Sequence, residues 1–195
     1  ATDMAQVNLL GSHDTARFVT MLDYPSPDYD RGLPAGAADR GPPSDEAIDK
    51  LVLAFATLVA LPGSPMVYAG DELGMWGADD PENRKPLDWR STGDEQTPGP
   101  GPLFDRLQAV FALRGHPEAG PALRFGSAAW SSAGGVVRVE RRLNGTVVRA
   151  SLNRSEDPVF DGRITVPSFA SVFEWKPHGE TEWRHLHSTG SESDD

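Results

Sequence analysis

Apolar residues recur along this chain in two spacings, and the spacing changes once, near Pro121. Before that point, short apolar runs alternate with segments in which apolar positions return every three or four residues. Val7 to Leu10 (VNLL) is a mostly apolar run ending at Gly11, and it predicts a short buried strand. Ile48, Leu51, Val52, Phe55, Leu58 and Val59 fall on one helical face. Ser44 is placed to cap that helix, Asp45 and Glu46 sit in its first turn where the helix dipole favours anions, and Pro62-Gly63 stops it. Pro65 to Tyr68 predicts a second short buried strand, and the spacing of Leu103, Leu107, Val110, Phe111 and Leu113 predicts a helix over 103–114. Two long connections rich in Pro, Gly and Asp, 25–43 and 73–102, separate these elements. Residues 7–114 therefore read as strand, loop, helix, strand, loop, helix, the order of a parallel βαβα unit. Both strands end in polar residues, at the end where α/β barrels carry their active sites.

After Pro121 the period becomes two. Gly135 to Leu143 (GVVRVERRL) alternates, Asn144-Gly145 is a strong hairpin signal, and TVVRASLN runs back. Shorter β-like runs at 163–166, 171–175 and 182–187 extend this into a small antiparallel β domain over 121–187. The polar, acidic stretch 188–195 (STGSESDD) is expected to be a disordered tail.

The 195 residues suffice for one domain and a small second one, and 38% apolar content allows a buried core. The formal charge of −11 argues against nucleic acid or an anionic membrane as partner. Without cysteine there are neither disulfides nor thiolate metal sites. The longest apolar stretch, Leu51 to Leu61, is shorter than the roughly 20 residues a bilayer requires. Ala1-Thr2-Asp3 lacks the basic start and apolar run of a signal peptide, which favours the cytoplasm.

Chemistry concentrates at the two strand ends. His13-Asp14 follows the first. The pair is either a loop histidine with an aspartate capping the next turn, or a site in which the histidine donates to a sugar hydroxyl and the adjacent carboxylate grips two vicinal hydroxyls and stabilises positive charge developing at a sugar carbon. Arg17 is either a surface cation or a guanidinium that orients carboxylates or binds an anion. Asp71-Glu72 ends the second strand and is read as a pair holding backbone amides. Downstream, Asp79, Asp80, Glu82, Arg84 and Asp88 share a loop with Trp76 and Trp89. Such a mixture suits sugar binding, with rings stacking on aromatic faces, or equally a solvated loop whose tryptophans pack on the body of the protein. His185 and His187 alternate on a strand and are read as solvent-facing, not as metal ligands.

Three segments carry a resemblance to a known family. NLLGSHDTARF (8–18) resembles the motif at the end of barrel strand seven of the α-amylase superfamily, glycoside hydrolase family 13, which usually ends Asn-His-Asp. LPGSPMVYAGDELGMWGADDPENRKPLDW (61–89) resembles the strand-eight segment, and LFDRLQAVFALRGHPE (103–118) the last barrel helix. Among the branches, the likeness is greatest to the neopullulanase, cyclomaltodextrinase and maltogenic amylase group. The resemblance implies an α/β fold: the last two βα units of a (β/α)8 TIM barrel over 1–120, then a β-sandwich C-terminal domain over 121–187. It further implies that Asp14 is the carboxylate stabilising the transition state and that His13 contacts the same sugar. Ser12 stands where the family more often has Asn. Arg17 matches a position that helps bind chloride in some amylases, and the substrate-binding set it points to is Arg17, Arg84, Asp80 and Trp76. The implied substrate is an α-glucan, maltooligosaccharide or cyclodextrin, cleaved or transferred with retention at α-1,4, or also α-1,6, glucosidic bonds. No cofactor is expected of this chain, and calcium or chloride enters only through a complete enzyme.

Retaining glycosidases use a nucleophile and an acid/base carboxylate about 5–5.5 Å apart. In the family these follow barrel strands four and five, and no segment here resembles either motif. The chain is therefore expected to be catalytically incomplete and to need the missing N-terminal barrel portion as partner. The alternative is a non-catalytic α-glucan-binding or regulatory module that uses Trp76, Trp89 and Trp130 for stacking.

Overall fold

The computed structural model describes residues 6–23, 41–78, 80–87 and 101–190. These divide into two compact units: one from residues up to 8, 52–65 and 108 onward, the other from 9–51 and 66–107. Asp79, Asp88 and Trp89 lie outside the described residues, as does most of the 25–43 connection.

Strand β1 (Val7–Leu9) pairs with β2 (Ser64–Met66) in a two-stranded sheet. Between them in sequence run the short helix α1 (Phe18–Asp23) and the long helix α2 (Asp45–Ala60). The predicted cap is present: the Ala47 amide donates to Ser44 Oγ at 3.1 Å, with Asp45 and Glu46 in the first turn. The apolar face of α2 is buried as its spacing requires, with Leu51, Val52, Phe55 and Val59 at most 1% exposed. Phe55 meets Phe111 of α3 (Pro102–Ala112) with ring centroids 5.8 Å apart. After α2, Gly63 adopts φ +101°, and the chain turns so that the Ser64 amide donates to Gln6 O at 2.8 Å.

Burial in β1 is the reverse of what its apolar run predicts. Asn8 is buried and donates to Pro62 O at 2.7 Å, whereas Val7 is 54% and Leu9 46% exposed; Met66 on β2 is 38% exposed. Val7 and Leu9, two residues apart, share the strand face opposite Asn8, and among the described residues that face stays open to solvent.

The second half of the chain is the antiparallel β region. Helix α4 (Gly120–Phe125) leads into β3 (Ser127–Ala133), β4 (Val136–Leu143) and β5 (Thr146–Asn153). The short β6 (Val159–Phe160) and β7 (Thr165–Val166) form a separate pair. With β8 (Ala170–Lys176) and β9 (Arg184–Ser188), the main sheet has the order β3-β4-β5-β8-β9, antiparallel throughout. The β4–β5 hairpin turns through Asn144 and Gly145 at φ 48° and 84°, both positive as a type I′ turn requires. One sheet face buries Val139, Val148, Ala150, Phe173 and Trp175. The other packs Val136 and Val172 against Val166, with Val159 and Ile164 beside them. Ser188 ends β9, and Thr189 is tied to Ser171 by bonds of 3.0 and 2.8 Å, so the sheet takes in the first residue of the stretch read as a tail and its hydrogen bonds reach the second. Residues 191–195 lie outside the described residues.

Two arginines close the C-terminus of α2. Arg141, a charged residue 1% exposed, donates to Ala60 O at 3.0 Å and Gly126 O at 2.8 Å. Arg114 donates to Val59 O at 3.1 Å and Gly63 O at 2.6 Å. Both act on helix-end carbonyls that otherwise lack donors. Burial, and then the nearby Arg114 charge, push the Arg141 guanidinium down to about 10.

Candidate functional site

The turn after β1 presents His13 and Asp14 to solvent, their side chains 64% and 69% exposed. It is locally closed: Ser12 N donates to Thr15 Oγ1 at 3.1 Å, and Asp14 N to Ser12 Oγ at 3.2 Å. The short hydroxyl side chains at 12 and 15 supply what a tight polar turn needs. His13 Nε2 lies 3.2 Å from Asp14 Oδ1. Arg84 comes from the loop after β2, where a 3₁₀ turn spans Glu82–Arg84. Its Nε donates to His13 O at 3.0 Å and lies 3.4 Å from Asp80 Oδ1, while its NH2 group is 3.7 Å from Asp14 Oδ1. His13, Asp14, Asp80 and Arg84 thus form one exposed polar cluster, built from both strand ends.

Beneath it lies a buried cluster. Arg17 is 3% exposed, and its NH1 group donates to Asp71 Oδ1 and to Ala69 O, both at 2.8 Å. Its Nε donates to Asn83 O at 3.0 Å, and its guanidinium sits 4.0 Å above the Tyr68 ring. Arg17 is therefore no surface cation: it is buried and paired with Asp71. Asp71 is placed by a 3₁₀ turn over Asp71–Leu73, bracketed by Gly70 and Gly74 at φ 99° and 70°, backbone that only glycine adopts without strain. Glu72 does accept a backbone amide, that of Gly70, at 2.9 Å. Gly77 approaches the Glu82 backbone so closely that a Cβ would collide with it. From there it accepts the Arg17 amide at 3.0 Å and donates to Thr20 Oγ1 at 2.9 Å.

Burial pushes the Asp71 carboxyl from its ordinary 3.8 up to about 6, against the lowering effect of Arg17. The folded value exceeds the unfolded one. The folded state therefore binds the proton more tightly, and this group's contribution to stability is full below pH 4 and lost as pH rises through 6. A ¹³C titration of the Asp71 carboxyl should show a midpoint near 6, moving further up in Arg17→Leu. A midpoint at 4 would contradict the burial argument.

Trp76 is half-buried, packs against Ala16 and Ala78, and has the Lys85 ammonium 5.5 Å from its ring centre. With Ile48, Leu73, Met75, Leu103 and Phe104 it lines a cavity of about 400 Å³. Trp130, on β3, is 54% exposed. Among the described residues there is no cluster of three side chains fit to hold a metal ion, and no helix is long and apolar enough to cross a membrane. The residue that sequence reasoning overlooked is Asn83. It is fully buried and binds the His13–Asp14 turn through its side-chain amide, and nothing in its local pattern announces this.

The chain combines an antiparallel β sheet with a polar site in the loops after two short strands. No family model matches the chain. An amylopullulanase of Thermoanaerobacter thermohydrosulfuricus is 40% identical over 92 residues, 47% of this chain and 6% of that protein. A cyclomaltodextrinase of Geobacillus thermopakistaniensis is 31% identical over 156 residues, 78% of this chain and 21% of that protein. The structure of a maltogenic amylase from S. marinus superposes with a TM-score of 0.64 at 23% identity, covering 88% of this chain and 22% of that one. The chain is a relative of the α-amylase family, and it spans less than a quarter of the length of these three relatives.

Proposed function

We propose that the chain is the C-terminal part of a retaining α-glucan-acting hydrolase that cleaves or transfers α-1,4, or also α-1,6, glucosidic bonds. The observation that carries this reading is the exposed His13–Asp14 pair, held at one strand end by Arg84 from the loop after the other. Asp14 stabilises the oxocarbenium-like transition state by accepting two hydroxyls of the sugar, and its negative charge opposes the positive charge developing at the ring carbon. His13 donates to the same sugar. Arg84 and Asp80 flank the adjoining subsite with Trp76 on its edge, and Arg17 acts from below on the loop that carries them. In this reading residues 1–120 are the last two βα units of a TIM barrel and 121–187 its β-sandwich companion. The nucleophile and acid/base come from the N-terminal barrel portion, whose strands would cover Val7, Leu9 and Met66.

The test is to follow maltoheptaose by NMR with the full-length protein and with this chain alone. The full-length protein should release products first as the α-anomer, and the isolated chain should release none. Products appearing first as the β-anomer, or turnover by the isolated chain, would overturn the assignment.

A further inference from the structure

We propose that Asn83 is the positioning residue of the His13–Asp14 turn. The inference rests on the catalytic reading of Asp14 given above. Asp14 is oriented by little of its own: among the described residues its carboxylate meets His13 and Arg84, at 3.2 and 3.7 Å, and both groups are solvent-exposed. Its direction is therefore inherited from the backbone of residues 13–15. Asn83 holds that backbone on both sides of Asp14. Its Nδ2 group donates to His13 O at 2.9 Å and to Thr15 O at 2.8 Å, which uses both amide protons.

Asn83 is itself immobilised. The residue is 0% exposed, and its backbone carbonyl accepts Arg17 Nε at 3.0 Å and the Tyr68 hydroxyl at 3.3 Å. The Arg17–Asp71 pair is thereby linked to the Asp14 backbone through one residue. The spacing also accounts for the neighbouring arginine: with Asn83 under the turn, the next residue, Arg84, emerges at its rim and reaches His13 O from outside. An amide suits this place because both partners are carbonyl oxygens. A carboxylate of the same shape would set acceptor against acceptor, and an apolar side chain would leave two carbonyls without their donors.

The decisive variants are Asn83→Asp and Asn83→Ala, each read by amide hydrogen exchange and by steady-state kinetics of the full-length protein on maltooligosaccharides. Exchange at residues 13–16 should accelerate at least about tenfold while β4 and β5 keep their protection, which separates a loosened turn from general unfolding. In the same variants kcat should fall by about 10- to 100-fold with KM changed far less, because a carboxylate displaced by a fraction of an ångström loses transition-state contacts first. Wild-type exchange at 13–16, or a fall in kcat/KM that lies entirely in KM, would overturn the proposal. Asp14→Asn run in parallel keeps the two readings apart. If it retains full activity while Asn83→Asp still loosens the turn, the catalytic assignment fails and the clasp stands.

Discussion

Asp14→Asn in the full-length protein is expected to lower kcat on maltooligosaccharides by about 10³-fold or more while leaving the fold intact. The substitution keeps the size of the side chain and removes its charge. Because the Asp14 side chain is 69% exposed and packs against no core, stability should not change. The loss should fall on kcat, since an oxocarbenium-like charge exists only in the transition state and a neutral amide opposes it poorly. KM should move little, because the amide still hydrogen-bonds to sugar hydroxyls. Unchanged kcat in a folded variant would remove Asp14 from the mechanism.

The largest stability effect should come from Asp71→Ala. It leaves the Arg17 guanidinium 3% exposed with no carboxylate opposite it, and breaking a buried pair from one side costs about 3–5 kcal/mol. Replacing both partners by apolar residues, Arg17→Met with Asp71→Leu, should recover most of that loss, because no uncompensated charge remains. A urea-denaturation cycle over the two single variants and the double variant measures this. Purely additive losses would show that the pair is energetically independent, contrary to the 2.8 Å contact. The double variant should still perturb the site, since Arg17 also supports the Asn83 carbonyl.

Much of the framework is legible because local chemistry and final structure agree. The Ser44 cap, the apolar stripe of α2 and the Asn144-Gly145 turn are each decided within a few residues, and each stands where the pattern places it. Strand β3 escapes the reading because SAAWSSA has neither alternation nor β-branched residues. It is mostly exposed, and its conformation comes from pairing with β4. Helix α4 is too short to show a period. Arg141 breaks the apolar face it shares with Val139 and Leu143, and its burial there is not legible locally, because the carbonyl it satisfies belongs to a residue 81 positions earlier. At the candidate site, His13 and Asp14 stand out because they follow the end of an apolar run at Gly11. The clasp by Asn83 does not, since its partners lie 70 and 68 residues away and no local pattern encodes such a distance.

That distance matters again at the C-terminus of α2, where the donors come from Arg114 and Arg141. During synthesis the helix emerges long before either arginine. Until those residues have left the ribosome, the last carbonyls of the helix are left to water. A nascent chain halted before residue 141 therefore lacks the donor to Ala60 O, and one halted before residue 114 lacks the donor to Val59 O as well.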